Sequence, residues 1–108
     1  MPYRIEYYHA RVKKAIESWP VGILADYLRM IELLAEFGPE LRMPHSRALG
    51  DGLFELRPRG AEGDGRAFYC YISGKRIVLV HAVIKKSEKT TYRDLVLARS
   101  RITEVNNA

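Results

Sequence analysis

RAFYCYISGKRIVLVHAVI, residues 66–84, is the stretch from which the rest of the chain can be placed. Arg66 to Ile72 is rich in aromatic residues and reads as a strand, with Arg66, Phe68 and Cys70 on one face by alternation. Ser73-Gly74 has the turn chemistry that closes a hairpin into a second strand, Arg76 to Ile84. Within that strand Ile77-Val78-Leu79-Val80 is apolar on both sides, which predicts a central strand covered on both faces.

Working outward, Leu53 to Arg57 is a third strand candidate, and Tyr3 to Tyr8 a short tyrosine-rich first strand. His9 to Ser18 reads as a short helix that stops before Trp19-Pro20, since the residue before a proline is biased away from helix. Pro20 opens a second helix, whose apolar face is Ile23, Leu24, Tyr27, Leu28, Ile31, Leu34 and Ala35, and Gly38-Pro39 ends it. Residues 39–52 (PELRMPHSRALGDG) are expected to be a long connection. Residues 85–91 form a basic loop. A last helix is predicted from about Tyr92 to Val105, with Thr91-x-x-Asp94 fitting a capping box and Thr90 an alternative cap. Its apolar stripe (Leu95, Ala98, Arg99, Ile102) is narrow, so it is expected to pack loosely on a sheet edge or be completed by a partner. The order is one N-terminal strand, two helices, a three-stranded antiparallel meander and a C-terminal helix. That is an α+β domain, expected to be single over residues 1–108.

Composition narrows the function classes. At 47% hydrophobic and 29% charged residues the chain is globular in character. No apolar run approaches the ~20 residues that span a bilayer, so no membrane association is expected. The N-terminus lacks the regions of a signal peptide, and the single cysteine, Cys70, allows no internal disulfide, so the expected location is cytoplasmic. Net charge is +5, unevenly distributed: residues 1–46 carry six basic and six acidic side chains, residues 47–101 twelve and six. A localised positive field favours a polyanion as partner, and a plain solubilising surface has the same composition.

Several chemistries have no residues to carry them. No phosphate-loop motif is present; the two GDG sequences, at 50–52 and 63–65, are turns. His9, His45 and His81 have no ligand spacing with Cys70 or with carboxylates, so neither metal nor cofactor is expected. Cys70, between Tyr69 and Tyr71, reads as a small buried hydrophobe. What remains is a set of cations at strand ends: Arg57, Arg59, Arg66, Lys85, Lys86 and Lys89, with Tyr92 three residues further on. Strand ends in antiparallel hairpins lie near one another, so Arg57, Arg59 and Arg66 can cluster, and Lys85 and Lys86 can join them. Such a group suits cleavage of RNA by its own 2′-hydroxyl. Arginine neutralises charge on the scissile phosphate, and a lysine or tyrosine among cations can act as acid or base. The plainer reading pairs Arg66 with Glu55 or Asp64 and leaves Tyr92 as a packing residue.

HSRALGDGLFELR (45–57), GRAFYCY (65–71) and RIVLVHAVIKKSEKT (76–90), followed by an arginine-rich helix, resemble the phage-derived HigB-like branch of the RelE/ParE toxin superfamily. The resemblance covers nearly the whole chain. It implies a ribosome-dependent endoribonuclease that cuts mRNA without a metal, and a helix-turn-helix antitoxin as partner. It implies that Arg66 stabilises the phosphate, with Lys86 and Tyr92 as acid/base candidates. Arg57, Arg59, Lys85 and Lys89 would hold RNA backbone. Lys86 departs from the arginine of RelE, Thr91 stands where many HigB-like sequences have proline, and His81 is expected to be structural. Two alternatives stay open: a ParE-like gyrase inhibitor and a non-catalytic nucleic-acid-binding domain.

Overall fold

The computed structural model describes residues 2–42, 45–85 and 91–107. In chain order the elements are β1 (Arg4–Tyr7), α1 (Ala10–Glu17), α2 (Val21–Phe37), a 3-10 turn (Gly38–Glu40), β2 (Ser46–Gly50), β3 (Leu53–Leu56), β4 (Arg59–Gly60), β5 (Gly63–Ile72), β6 (Arg76–Ile84) and α3 (Tyr92–Asn106). The strands form one sheet in the order β1-β6-β5-β3-β2, with the two-residue β4 pairing the start of β5. All pairs are antiparallel except β1 with β6. β6 therefore lies between two strands, and Ile77 to Val80 are buried.

Helices cover both faces. Val12 and Ile16 of α1, with Ile23, Tyr27, Met30 and Leu34 of α2, pack on Leu56, Ala67, Tyr69, Ile77 and Leu79. On the opposite face Leu53, Phe68, Cys70, Val78 and Val80 meet Ala98 and Ile102 of α3. The narrow stripe of α3 is thus laid across the second face of the sheet, not along its edge. Only a narrow stripe is needed because the strands below are themselves apolar on that side.

Other features also differ from the sequence expectation: Gly63-Asp64-Gly65, read as a turn, is the start of β5, and two further departures concern β2 and β6. Residues 39–52 are not a bare connection, because β2 pairs antiparallel with β3 through a turn at Gly50-Asp51-Gly52. Asp51 and both glycines have positive φ, the conformation that tight hairpin turns require. Apolar alternation is weak in SRALG, which hides this edge strand. The second feature is a bulge in β6. Phe68 pairs with His81 and Tyr69 with Leu79, so Val80 is an extra residue. Alternation resets there. Val80 joins the α3-side core, and His81, its neighbour in sequence, stacks on Phe68 of the same face, with ring centroids 5.7 Å apart.

β4 is stitched to the start of α2. The Asp26 carboxylate accepts from the Arg59 backbone N–H at 2.7 Å, and Glu62 accepts from the Gly22 N–H at 3.1 Å. The two backbones approach closely: a Cβ on Gly60 would lie 2.6 Å from the Gly22 carbonyl carbon and from the Ile23 nitrogen. Gly60→Ala is therefore expected to push β4 off α2 and to cost about 1–3 kcal/mol, read as a lowered urea midpoint.

Candidate functional site

The cations singled out from sequence sit around two carboxylates. Glu55, on β3, has no exposure to solvent. Its Oε2 accepts from Arg66 Nη1 at 3.2 Å, and its Oε1 lies 3.5 Å from Arg57 Nε. Arg66 is itself only 2% exposed, and Arg57 is 19% exposed. Asp64, at the start of β5, collects the second pair. Its Oδ2 is 3.7 Å from Arg59 Nε and 3.8 Å from Lys85 Nζ. Among the described residues each of these two carboxylates lies against two cations. Alternation along β5 puts Asp64, Arg66 and Phe68 on the face that carries α3.

The start of α3 faces the first group. Thr91 caps the helix, accepting from the Asp94 N–H at 3.2 Å, and its hydroxyl donates to Asp94 Oδ2 at 2.7 Å. Asp94 Oδ1 lies 2.9 Å from His81 Nε2. Burial pushes the Asp94 carboxyl up, but the hydrogen bonds from Thr91 and His81 and the charges of His81 and Arg66 outweigh it and hold the group below its usual value. The chain of contacts therefore runs from Arg57 through Glu55 to Arg66, and electrostatically from Arg66 to Asp94 and His81. Tyr92, in the first turn of α3, is 82% exposed. Its phenol is open to a ligand and is not part of the packing.

Arg57 and Arg66 come together as the hairpin geometry suggests, and Arg59 and Lys85 form a separate pair. Lys86 and Lys89 lie outside the described residues. Cys70 is buried, and burial raises its thiol to about 11, which makes it a poor nucleophile at neutral pH. Sequence reasoning offers Glu55 or Asp64 as the partner of Arg66, and the structure pairs Arg66 with Glu55; the roles of two other residues were missed. Asp94 reads only as a capping residue. His81 is brought to this face by the bulge, which no alternation rule anticipates. Among the described residues no three His, Cys, Asp or Glu side chains gather as metal ligands. No described helix is long and apolar enough to cross a membrane.

A family model described as "Phage derived protein Gp49-like (DUF891)" matches residues 14–103. No curated protein matches the chain. Among solved structures, the archaeal RelE-RelB complex from Pyrococcus horikoshii OT3 contains a similar chain, at 24% identity and a TM-score of 0.57, covering 80% of this chain and 98% of that one. At that identity the likeness is one of fold, and the α+β architecture is RelE-like.

Two expectations follow from the buried network. Arg66→Met removes the closer of the two arginines from the buried Glu55 and is expected to cost about 3–5 kcal/mol in urea unfolding, whereas Glu55→Met combined with Arg66→Met recovers most of that loss. Asp94 stabilises the fold above the ordinary carboxylate range, and its contribution is lost as pH falls through its lowered folded value. Asp94→Asn is therefore expected to lower the urea midpoint at neutral pH, with the gap to the parent closing below about pH 4.

Proposed function

The chain belongs to the Gp49-like family of phage-derived proteins, and on that basis we propose that it is the toxin of a type II toxin–antitoxin pair, an endoribonuclease that cuts mRNA on the ribosome. The observation that carries this reading is the pair Arg57 and Arg66 held on Glu55 on the α3 face, with Arg66 acting on Asp94 in the first turn of the helix that carries the exposed Tyr92.

In the proposed reaction the ribose 2′-hydroxyl loses its proton to a base and attacks the adjacent phosphorus. The bond to the 5′-oxygen breaks, and that oxygen takes a proton from an acid. The products are a 2′,3′-cyclic phosphate and a 5′-hydroxyl. Arg66 supplies fixed positive charge from beneath the site, oriented by Glu55. Arg57, the more exposed of the two, meets a phosphate oxygen. Tyr92 and Lys86 are the acid/base candidates. Arg59, Lys85 and Lys89 hold flanking backbone, and none of these steps needs a metal.

The similar fold was solved as a two-protein RelE-RelB complex, which supports a protein antitoxin as partner, of helix-turn-helix type by the family resemblance. One observation favours a second reading, a nucleic-acid-binding domain without turnover: Arg66 is sealed from solvent and held by a carboxylate.

Cell-free translation followed by primer extension separates the two. The parent is expected to cut mRNA only while it is being translated. Tyr92→Phe and Arg57→Ala are each expected to lose roughly 100-fold in cleavage with the fold intact. Intact mRNA during active translation overturns the nuclease reading, and salt-dependent RNA binding without cleavage establishes the second.

A further inference from the structure

β1 stops at Tyr7, opposite Leu79, whereas β6 runs on to Ile84. Where β1 would have continued, a cavity of about 290 Å³ notches the edge of the sheet. The start of α1 walls it on one side and Arg101 of α3 on the other. Its floor is His81 and Ala82. The notch shares no residue with the Arg57, Arg66 and Tyr92 group, but His81 links the two through Asp94.

The polar lining is made of donors and cations. Arg11 and Arg101 carry fixed charge. Arg101 is pinned in place: its Nη1 donates to the Val80 carbonyl at 2.7 Å, and its guanidinium lies 4.8 Å over the Tyr8 ring. A guanidinium already held loses little freedom when it pairs with a ligand. His9 Nδ1 accepts from the Arg11 backbone N–H at 3.1 Å and from Arg11 Nε at 3.4 Å, which leaves the ring proton on Nε2 as a donor. Among the described residues no carboxylate lines the cavity. The two that border it each accept a hydrogen bond: Glu104 from the Tyr8 hydroxyl at 2.6 Å, and Asp94 from His81. The bond to Glu104 raises the Tyr8 phenol, so that group stays neutral. The volume is at the lower limit of the roughly 300–1,000 Å³ typical of small-molecule sites, which suits a phosphate with its sugar better than a larger ligand.

We propose that this notch is a phosphate-binding site that seats a backbone phosphate of an RNA strand, held by Arg11 and Arg101 with His9 as a further donor. Phosphate follows from the lining. RNA as its carrier rests on the proposed activity, because a strand crossing the start of α3 would meet Arg57 at one phosphate and the notch at another.

The methyl groups of Ala15 and Ala82 both line the cavity and report on it by NMR. Inorganic phosphate and a 2′-O-methyl RNA trinucleotide, which cannot be cleaved, are titrated separately into the full chain. Both ligands are expected to shift both methyls, and the trinucleotide to displace phosphate. Arg11→Ala is expected to weaken trinucleotide binding about 5–10-fold, and Lys14→Ala, a charge lost from the same helix outside the cavity, less than 2-fold. Arg101→Lys, which keeps charge and loses the fork, is expected to weaken it as Arg11→Ala does.

Equal losses for Arg11→Ala and Lys14→Ala would reduce the effect to diffuse charge and overturn the proposal. Shifts with phosphate alone would mark a small-anion site and overturn the RNA assignment, and silent methyls overturn both. None of these measurements needs cleavage. Silent methyls in a protein that cuts mRNA would defeat this proposal alone, and shifted methyls in a protein that leaves mRNA intact would defeat only the nuclease reading.

Discussion

A carboxylate with no access to water stays charged only if cations are held against it, and Glu55 is such a carboxylate. Its position on β3 therefore dictates the conformations of Arg66 on β5 and Arg57 just past the end of β3. Two arginines that would otherwise sample many rotamers at a sheet end are drawn to one point. One negative group organises two positive ones, of which Arg57 is the more exposed. Asp64 repeats the device with Arg59 and Lys85 at a more exposed place, where the same geometry contributes less to stability. The basic character read from composition thus becomes two built clusters.

The bulge at Val80 adds the second constraint. A regular β6 would send His81 toward α1 and α2. The extra residue turns it to α3, where its ring stacks on Phe68 and binds Asp94. Asp94 in turn accepts from the Thr91 cap. The first turn of α3, which carries Tyr92, is thereby tied to the strand that carries Phe68 and Arg66. α3 buries only Ala98 and Ile102 fully, so this polar tie fixes the end of the helix that its apolar stripe leaves unanchored.

Much of the fold was legible in the sequence, for identifiable reasons. The hairpin at 66–84, the apolar face of α2 and the Thr91 cap are local patterns: their signals lie within a few residues of the structure they specify. β2 was not legible, because an edge strand paired on one side needs no strong alternation, and SRALG has none. The bulge was not legible either, since it depends on how β5 and β6 register with each other. At the site, the cations were visible as types. Of the acids that assemble them, Glu55 was legible only as one of two candidate partners for Arg66 and Asp94 only as a capping residue, because an acid's partner is set by cross-strand and helix–sheet contacts that lie 11 and 13 residues away in the chain.

The notch beyond β1 and the His81–Asp94 contact meet at one place, where β6 outlasts its partner β1 and changes phase at Val80. At the bulge the Val80 carbonyl accepts from Arg101. The bulge also puts His81 where its ring floors the notch and its Nε2 reaches Asp94. A change at His81 is therefore felt on both sides, as an altered floor of the notch and as a lost partner for the carboxylate nearest the start of α3. If an RNA strand crosses this end of the sheet, His81 is the residue through which the seating of one phosphate would be coupled to the charge around the next.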